Sequence, residues 1–362
     1  MIRICIYGAG AVGSHLAVRL AQHPEVVLSV IARGEHLAAI QRDGLTLETD
    51  TDTQHVALSQ AVECAQDLPR QDIVIVGLKA TDIAEQALHI GSLLADDGIA
   101  VFLNNGIPWW WRYGLDPSSA SANADANTNT QTLSLLDPGA SLWSNVRPQR
   151  VIGGVVYSPN EIVAPGRVRH RGQARILLGE PTHPQAAAAS TRLSALLSLF
   201  NAAGLNATAA DDIRASVWEK LLVNIASSTI CALTRLDNQT RARSPELTSL
   251  GQTLQAEIRS VAAAMGWQLP RPTESLPAVE AYTAATPGQG HRPSMLQDVL
   301  RGRALEVEAL VGQPLQFARQ FGIATPLLDV IYTLLSGLDH SVGQQRARST
   351  PLSDTASAVG HA

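Results

Sequence analysis

A chain of 362 residues with a net charge of −5, 45% hydrophobic and 16% charged, is long enough to bury two cores and reads as globular. A pI near 6.1 argues against nucleic acid as a main partner, because a phosphate-binding surface shows as basic excess. Cys5, Cys64 and Cys231 stand far apart with no CxxC pair, so ordinary buried thiols in a reducing compartment are expected, with no disulfide framework and no metal. No apolar run approaches the roughly 20 residues that span a bilayer, and no leader pattern precedes the first strand, so the expectation is a cytoplasmic protein with no membrane partner.

The first element is a strand, in which Ile2, Ile4 and Ile6 with Cys5 and Tyr7 make a β-rich run. "GAGAVG" follows, and "SHLAVRLAQH" then sets Leu16 and Leu20 at helical spacing. Strand, glycine turn and helix give GxGxxG the context that dinucleotide binding requires. Gly8 makes the tight turn, Gly10 lets the backbone approach a pyrophosphate, and Gly13 lets helix and strand pack closely. Ala11 and Val12 open the helix whose N-terminus would meet the phosphate charge. A bare structural turn is the alternative.

The second strand, "VVLSVIARGEH", places Arg33 where an NAD-binding chain carries an acidic residue for the ribose hydroxyls. A guanidinium there can pair with a 2'-phosphate, so the expected cofactor is NADP. A solvated loop arginine is the alternative. "DIVIVGLKATD" is another buried strand leading to Lys79, and "IAVFLNNGIPWWW" is a fourth leading to Asn104, Asn105 and Gly106. In an open parallel sheet, strand C-termini form the edge where ligands bind, which marks Lys79 and Asn105 as candidates.

Residues 114 to 145, rich in small polar side chains, are expected to form a mobile loop. Strand patterning returns at 150 to 158 and 166 to 180 and is expected to finish the first sheet. From about 186 the period is helical. The fold class is therefore α/β, with an N-terminal Rossmann-type dinucleotide-binding domain over 1–183, an all-helical C-terminal domain over 184–338 and a flexible tail over 339–362. In "SVWEKLLVNIASS", Lys220 and Asn224 share one helix face at i and i+4. Alone, a lysine on an apolar face reads as snorkelling. "SMLQ" matches an S-x-x-Q capping box, with Ser294 as helix N-cap.

Four blocks, "GAGAVG" with "ARGEHLAAIQRDGL", "LKATD", "NNGIP", and "VWEKLLVN" with "SMLQDVLRGRALEVE", make the chain resemble the ketopantoate reductase (2-dehydropantoate 2-reductase) family over nearly its whole length. The resemblance implies an NADPH-dependent oxidoreductase that reduces a small 2-oxo acid in the cleft between a Rossmann and a helical domain, with a homodimer as one assembly open to it. It also implies Lys220 as the catalytic lysine and Glu306 as the active-site glutamate. Asn105 and Lys79 become cofactor-side and cleft positions, and Asn224 and Ser294 become substrate contacts. The chain departs from the family pattern at Ser228 and Thr229, where members commonly carry asparagine then proline, and in the run Trp109 to Trp111, which either anchors its loop to the core or lines the cleft. His291 is a further candidate cleft contact. A reductase of another 2-oxo acid and a catalytically silent NADP-binding regulator are the alternatives.

Overall fold

Valine, isoleucine and leucine runs that would be insoluble as exposed strands are buried on both faces of a largely parallel sheet. The computed structural model describes residues 1–115, 131–181, 190–270 and 290–349. Its strands are β1 (Ile2–Tyr7), β2 (Val26–Ile31), β3 (Leu45–Glu48), β4 (Thr53–Val56), β5 (Gln60–Val62), β6 (Gln71–Val76), β7 (Leu94–Phe102), β8 (Val151–Tyr157), β9 (Asn160–Ala164), β10 (Arg167–His170), β11 (Arg175–Gly179) and β12 (Ala207–Ala209). Through the first half run α1 (Ala11–Leu20), α2 (Gly34–Asp43), α3 (Ala80–Ile83), α4 (Ala87–Leu93), α5 (Ser141–Asn145) and α6 (Thr191–Ala202). The second half contains α7 (Ile213–Thr234), α8 (Asn238–Ala242), α9 (Pro245–Ala264), α10 (Ser294–Leu300), a π-helical turn at Glu308–Gly312, α11 (Gln313–Gln320) and α12 (Pro326–Ser349).

Eight strands form one sheet in the order β12-β11-β8-β7-β6-β1-β2-β5. Within it β8 and β11 pair antiparallel, and β1 pairs parallel with both β2 and β6. The chain leaves β1 toward β2 and later returns to β6 on the other side, so the C-terminal ends of β1 and β6 bound the crevice where ligands bind in such sheets. The period of two assigns the faces. Ile4 and Ile6 pack with α1 and α6 in one core, and Cys5 and Tyr7 belong to the other, which is continuous with the interior of the helical half.

Several expectations change. The first sheet ends in β12 rather than at residue 180, and α6 packs on the sheet, so the helical half starts at α7 rather than at 184. Strands β9 and β10 leave the main sheet for a second one, β4-β3-β10-β9. Of the loop expected over 114–145, residues 116–130 lie outside the described residues, but Leu133, Leu136 and Leu142 are core side chains and α5 is helical. The tail expected from 339 is helical to Ser349 as part of α12, and residues 350–362 lie outside the described residues. Cys5 and Cys231 are buried, whereas Cys64 is exposed. Trp109, Trp110 and Trp111 are only 3%, 1% and 0% exposed. Trp111 packs against Trp218 at 5.4 Å and Trp267 at 5.3 Å between ring centroids, which makes the run an anchor and not a cleft wall.

Candidate active site

The glycine turn has the geometry its spacing implies. Gly8 sits at φ +97°, where a side chain would be strained. A Cβ at Gly13 would lie 2.3 Å from the Gly8 carbonyl oxygen, so only glycine lets α1 approach β1 this closely. Gly10 is exposed, and a Cβ built on it meets nothing within 4 Å. Ala11 and Val12 begin α1, whose first turn carries no acidic residue. Open space, free N–H groups and the positive helix end together fit a diphosphate.

Arg33 stands at the start of α2, just past the C-terminal end of β2. Its side chain is 73% exposed and faces Asp82 at 3.7 Å, a loose pair that leaves the guanidinium accessible. An exposed cation at this strand end fits a 2'-phosphate.

Lys79 precedes α3 and reaches across to the helical half. Its ammonium pairs with Asp298 at 2.6 Å and donates to the Ala304 carbonyl at 2.9 Å. Burial pushes the Asp298 carboxyl up, and the ammonium beside it works in the opposite direction. Glu306 is buried nearby. One of its oxygens accepts the Ala80 N–H at 3.0 Å, and the other accepts the Asn105 amide at 3.3 Å. Burial raises this carboxyl, while the two hydrogen bonds and Lys79 favour its charged form. Gly106 fixes the neighbouring seam. It lies at φ +78°, a Cβ there would come within 2.4 Å of the Ala309 carbonyl oxygen, and the next N–H, of Ile107, donates to that oxygen at 2.8 Å.

Lys220 and Asn224 lie on consecutive turns of α7 and are both partly buried. The lysine ammonium sits 5.9 Å from the centre of the Tyr157 ring, within range of a cation–π contact. Among the described residues it makes no hydrogen bond or ion pair, so its donors are available to a ligand. Burial lowers its pKa to about 8, and the field of Glu306 holds it from falling further. The helix is fixed from its base by Arg214, a buried arginine whose side chain donates to the carbonyls of Trp111 at 2.7 Å and Pro181 at 3.0 Å and also to that of Tyr113.

The structure thus joins Asn105 to Glu306 by direct contact and couples Lys79 and Lys220 to Glu306 electrostatically. It does not produce the capping box. Pro293 is the residue preceding α10, Ser294 is its exposed first residue without a capping bond, and the Gln297 side chain donates to the Arg292 carbonyl at 2.9 Å instead. His291 is partly buried, and its carbonyl accepts the Asn238 N–H at 3.1 Å, which places it at the base of α8. Two residues missed from the sequence join the group, Asp298 and Tyr157. Tyr157 ends β8, at the same edge of the sheet that singled out Lys79 and Asn105, so the strand-end rule could have found it.

Models of two family domains match this chain: ketopantoate reductase PanE/ApbA over residues 4–108 and the ketopantoate reductase PanE/ApbA C-terminal domain over 212–339. The chain belongs to the ketopantoate reductase family. It is 34% identical to the 2-dehydropantoate 2-reductase of Mesorhizobium japonicum, over 93% of this chain and 98% of that one. The crystal structure of a PanE/ApbA family ketopantoate reductase from Ralstonia eutropha superposes with a TM-score of 0.75 at 26% identity, covering 94% of this chain and 99% of that one. D-mandelate dehydrogenase, solved with NADH and anilino(oxo)acetate, shares the fold alone, with a TM-score of 0.73 at 20% identity over 94% of this chain and 99% of that one. Membership places this chain among dinucleotide-binding oxidoreductases that act on CH–OH groups. Among the described residues no helix is long and apolar enough to cross a membrane.

Proposed function

We propose that this chain reduces ketopantoate to pantoate with NADPH, with Lys220 as the general acid. The observation that carries the reading is the Lys220 ammonium, which lacks a hydrogen-bonding partner among the described residues and has a pKa of about 8 beside the anchored Glu306 carboxylate. A lysine held this way is mostly protonated at neutral pH yet a much stronger acid than a solvated one. Bound reduced nicotinamide would supply the hydride to the carbonyl carbon. As that bond forms and the carbonyl π pair moves onto oxygen, Lys220 Nζ gives its proton to the oxygen, leaving a neutral amine and a 2-hydroxy acid.

The remaining residues bind and orient. Gly8, Gly10, Ala11, Val12 and Gly13 form the diphosphate turn, and Arg33 meets the 2'-phosphate. Lys79 and Asn105 line the cofactor side of the cleft, while Asn224 and Ser294 contact the substrate. Glu306 acts on Lys220 through its field and, held by Asn105 and Ala80, offers an acceptor to hydroxyls in the cleft. The reaction would run in the cytoplasm.

NADPH oxidation with a panel of 2-oxo acids that includes ketopantoate tests the reading. Ketopantoate should give the highest kcat/KM. A higher value for another 2-oxo acid would keep the mechanism and replace the substrate, and no turnover with any of them would reduce the chain to a dinucleotide-binding protein.

A further inference from the structure

His36 lies in the first turn of α2, three residues past Arg33, and its ring closes a chain of hydrogen bonds that ends in the glycine turn. The Gly166 N–H donates to its Nδ1 at 3.0 Å, its Nε2 lies 3.2 Å from Ser14 Oγ, and Ser14 Oγ–H donates to the Ala9 carbonyl at 2.9 Å. The first of these bonds sets the tautomer. A backbone N–H can only donate, so Nδ1 carries no proton, and the neutral ring holds its proton on Nε2 and donates to Ser14. All three bonds then run in one direction, from the β9–β10 turn to the turn after β1.

The destination matters because of peptide geometry. In a trans peptide the carbonyl of Ala9 and the N–H of Gly10 point in opposite directions, and the described chain has no cis bond. Ser14 is fully buried, so its hydroxyl holds the Ala9 oxygen toward the interior. The Gly10 N–H is therefore turned outward, into the open space in front of α1. If the same peptide flipped, it would present an oxygen to an incoming diphosphate and remove a donor from it. Ser14 alone leaves its own lone pairs and rotor unconstrained; a donor on its far side fixes which way its proton faces. Gly166 is a fixed point for this purpose, since its carbonyl accepts the Thr46 N–H at 2.9 Å in the second sheet.

We propose that His36 is a positioning residue for dinucleotide binding: through Ser14 it holds the Ala9–Gly10 peptide with its N–H toward the cofactor diphosphate. Burial favours the neutral ring that the relay requires. The inference rests on the dinucleotide-binding part of the proposed function and adds to it a role for the small second sheet, which supports the glycine turn from behind.

The test is a fluorescence titration of the intact protein with NADPH and with NADH, for wild type, Ser14→Ala, His36→Asn and His36→Gln, with Tm recorded for each. Asparagine can keep the acceptor facing Gly166 but cannot reach Ser14, whereas glutamine can reach Ser14. Loss of one oriented hydrogen bond should raise Kd about threefold to tenfold for both dinucleotides in Ser14→Ala and His36→Asn. His36→Gln should restore most of the affinity, and kcat at saturating cofactor should stay at the wild-type value throughout. Wild-type affinity in Ser14→Ala, which suits a helix and leaves no steric conflict, sinks the inference even if the His36 variants do not fold. A loss confined to NADPH also overturns it, because the diphosphate is common to both dinucleotides. If wild type itself binds neither, the dinucleotide reading fails and this inference with it.

Discussion

The carboxylate of Glu306 accepts the side-chain amide of Asn105 across 201 positions of sequence, at 3.3 Å. This contact joins the sheet edge to the helical half and puts a negative charge where it acts on Lys220. It makes the two acidic and basic groups one electrostatic unit, and the consequences for turnover follow from that.

Lys220→Ala should leave the fold and NADPH binding intact while lowering kcat about 10²-fold or more, since the proton is delivered mainly in the transition state. Glu306→Ala should also impair turnover. The double variant should lose less than the sum of the single losses, because the residues act together. Steady-state kinetics with a parallel NADPH titration checks all three, and near-normal kcat in a folded Lys220→Ala protein would rule out the general-acid role.

The pH profile should carry the same signature. With the Lys220 pKa at about 8, kcat should fall on the alkaline side near that pH as the ammonium loses its proton. Glu306 raises this pKa, so in Glu306→Gln the limb should move to lower pH. An unmoved limb would mean that another group titrates.

Stability should move the opposite way to activity. The Lys220 pKa is lowered from 10.5 to about 8, so between these values the unfolded chain binds more protons than the folded one, and the lysine's contribution to stability improves as pH rises through that window. Below it, at neutral pH, the native state bears the cost of an enclosed charge. Lys220→Met removes that cost and should raise Tm at pH 7, which thermal melts would reveal.

For the cofactor, Arg33→Ala should weaken NADPH by about 1 to 3 kcal/mol and leave NADH nearly unchanged. Asp82 faces the same guanidinium at 3.7 Å and would repel a 2'-phosphate, so Asp82→Asn should tighten NADPH relative to NADH. Paired titrations of the two dinucleotides decide, and equal losses for both in Arg33→Ala would remove the 2'-phosphate assignment.

Trp111→Ala should cost about 3 to 5 kcal/mol of stability, as expected for a large side chain deleted from a packed aromatic cluster. The ranking of 2-oxo acids by kcat/KM should stay as it is. A changed ranking in a variant of undiminished Tm would return the tryptophan run to the cleft.

What was legible in the sequence was local. The glycine turn and the first strands follow from short-range periodicity, and the steric roles of Gly8 and Gly13 follow from spacing alone. The gathering of Glu306 with Asn105 came from family resemblance, because no local pattern links a carboxylate after α10 to an amide after β7. Asp298 escaped notice for the same reason: its partner, Lys79, lies in the other half of the chain. The capping box failed through competition. Ser294 follows a proline that takes the N-cap position, and the Gln297 amide donates to the Arg292 carbonyl in place of accepting a backbone N–H. Strands β9 and β10 read locally as strands like their neighbours in sequence, and the long-range pairing of β10 with β3 sends them to a second sheet.

The seam at Gly106 and Ala309 bears on how far this protein can be taken apart. Shortly beyond it, Trp111 belongs in sequence to the nucleotide-binding half but packs with Trp218, Trp267 and Phe317 of the helical half, whereas Trp109 stays edge-on against Phe102 of β7. A cut between the halves would uncover the Trp111 indole and take a central ring away from the aromatic cluster of the helical half. The two halves are thus not interchangeable parts. Grafting the nucleotide-binding half onto a foreign helical partner requires the recipient to offer a socket for the Trp111 ring, so any exchange of substrate domains within this architecture has to match Trp111 to the helices that receive it.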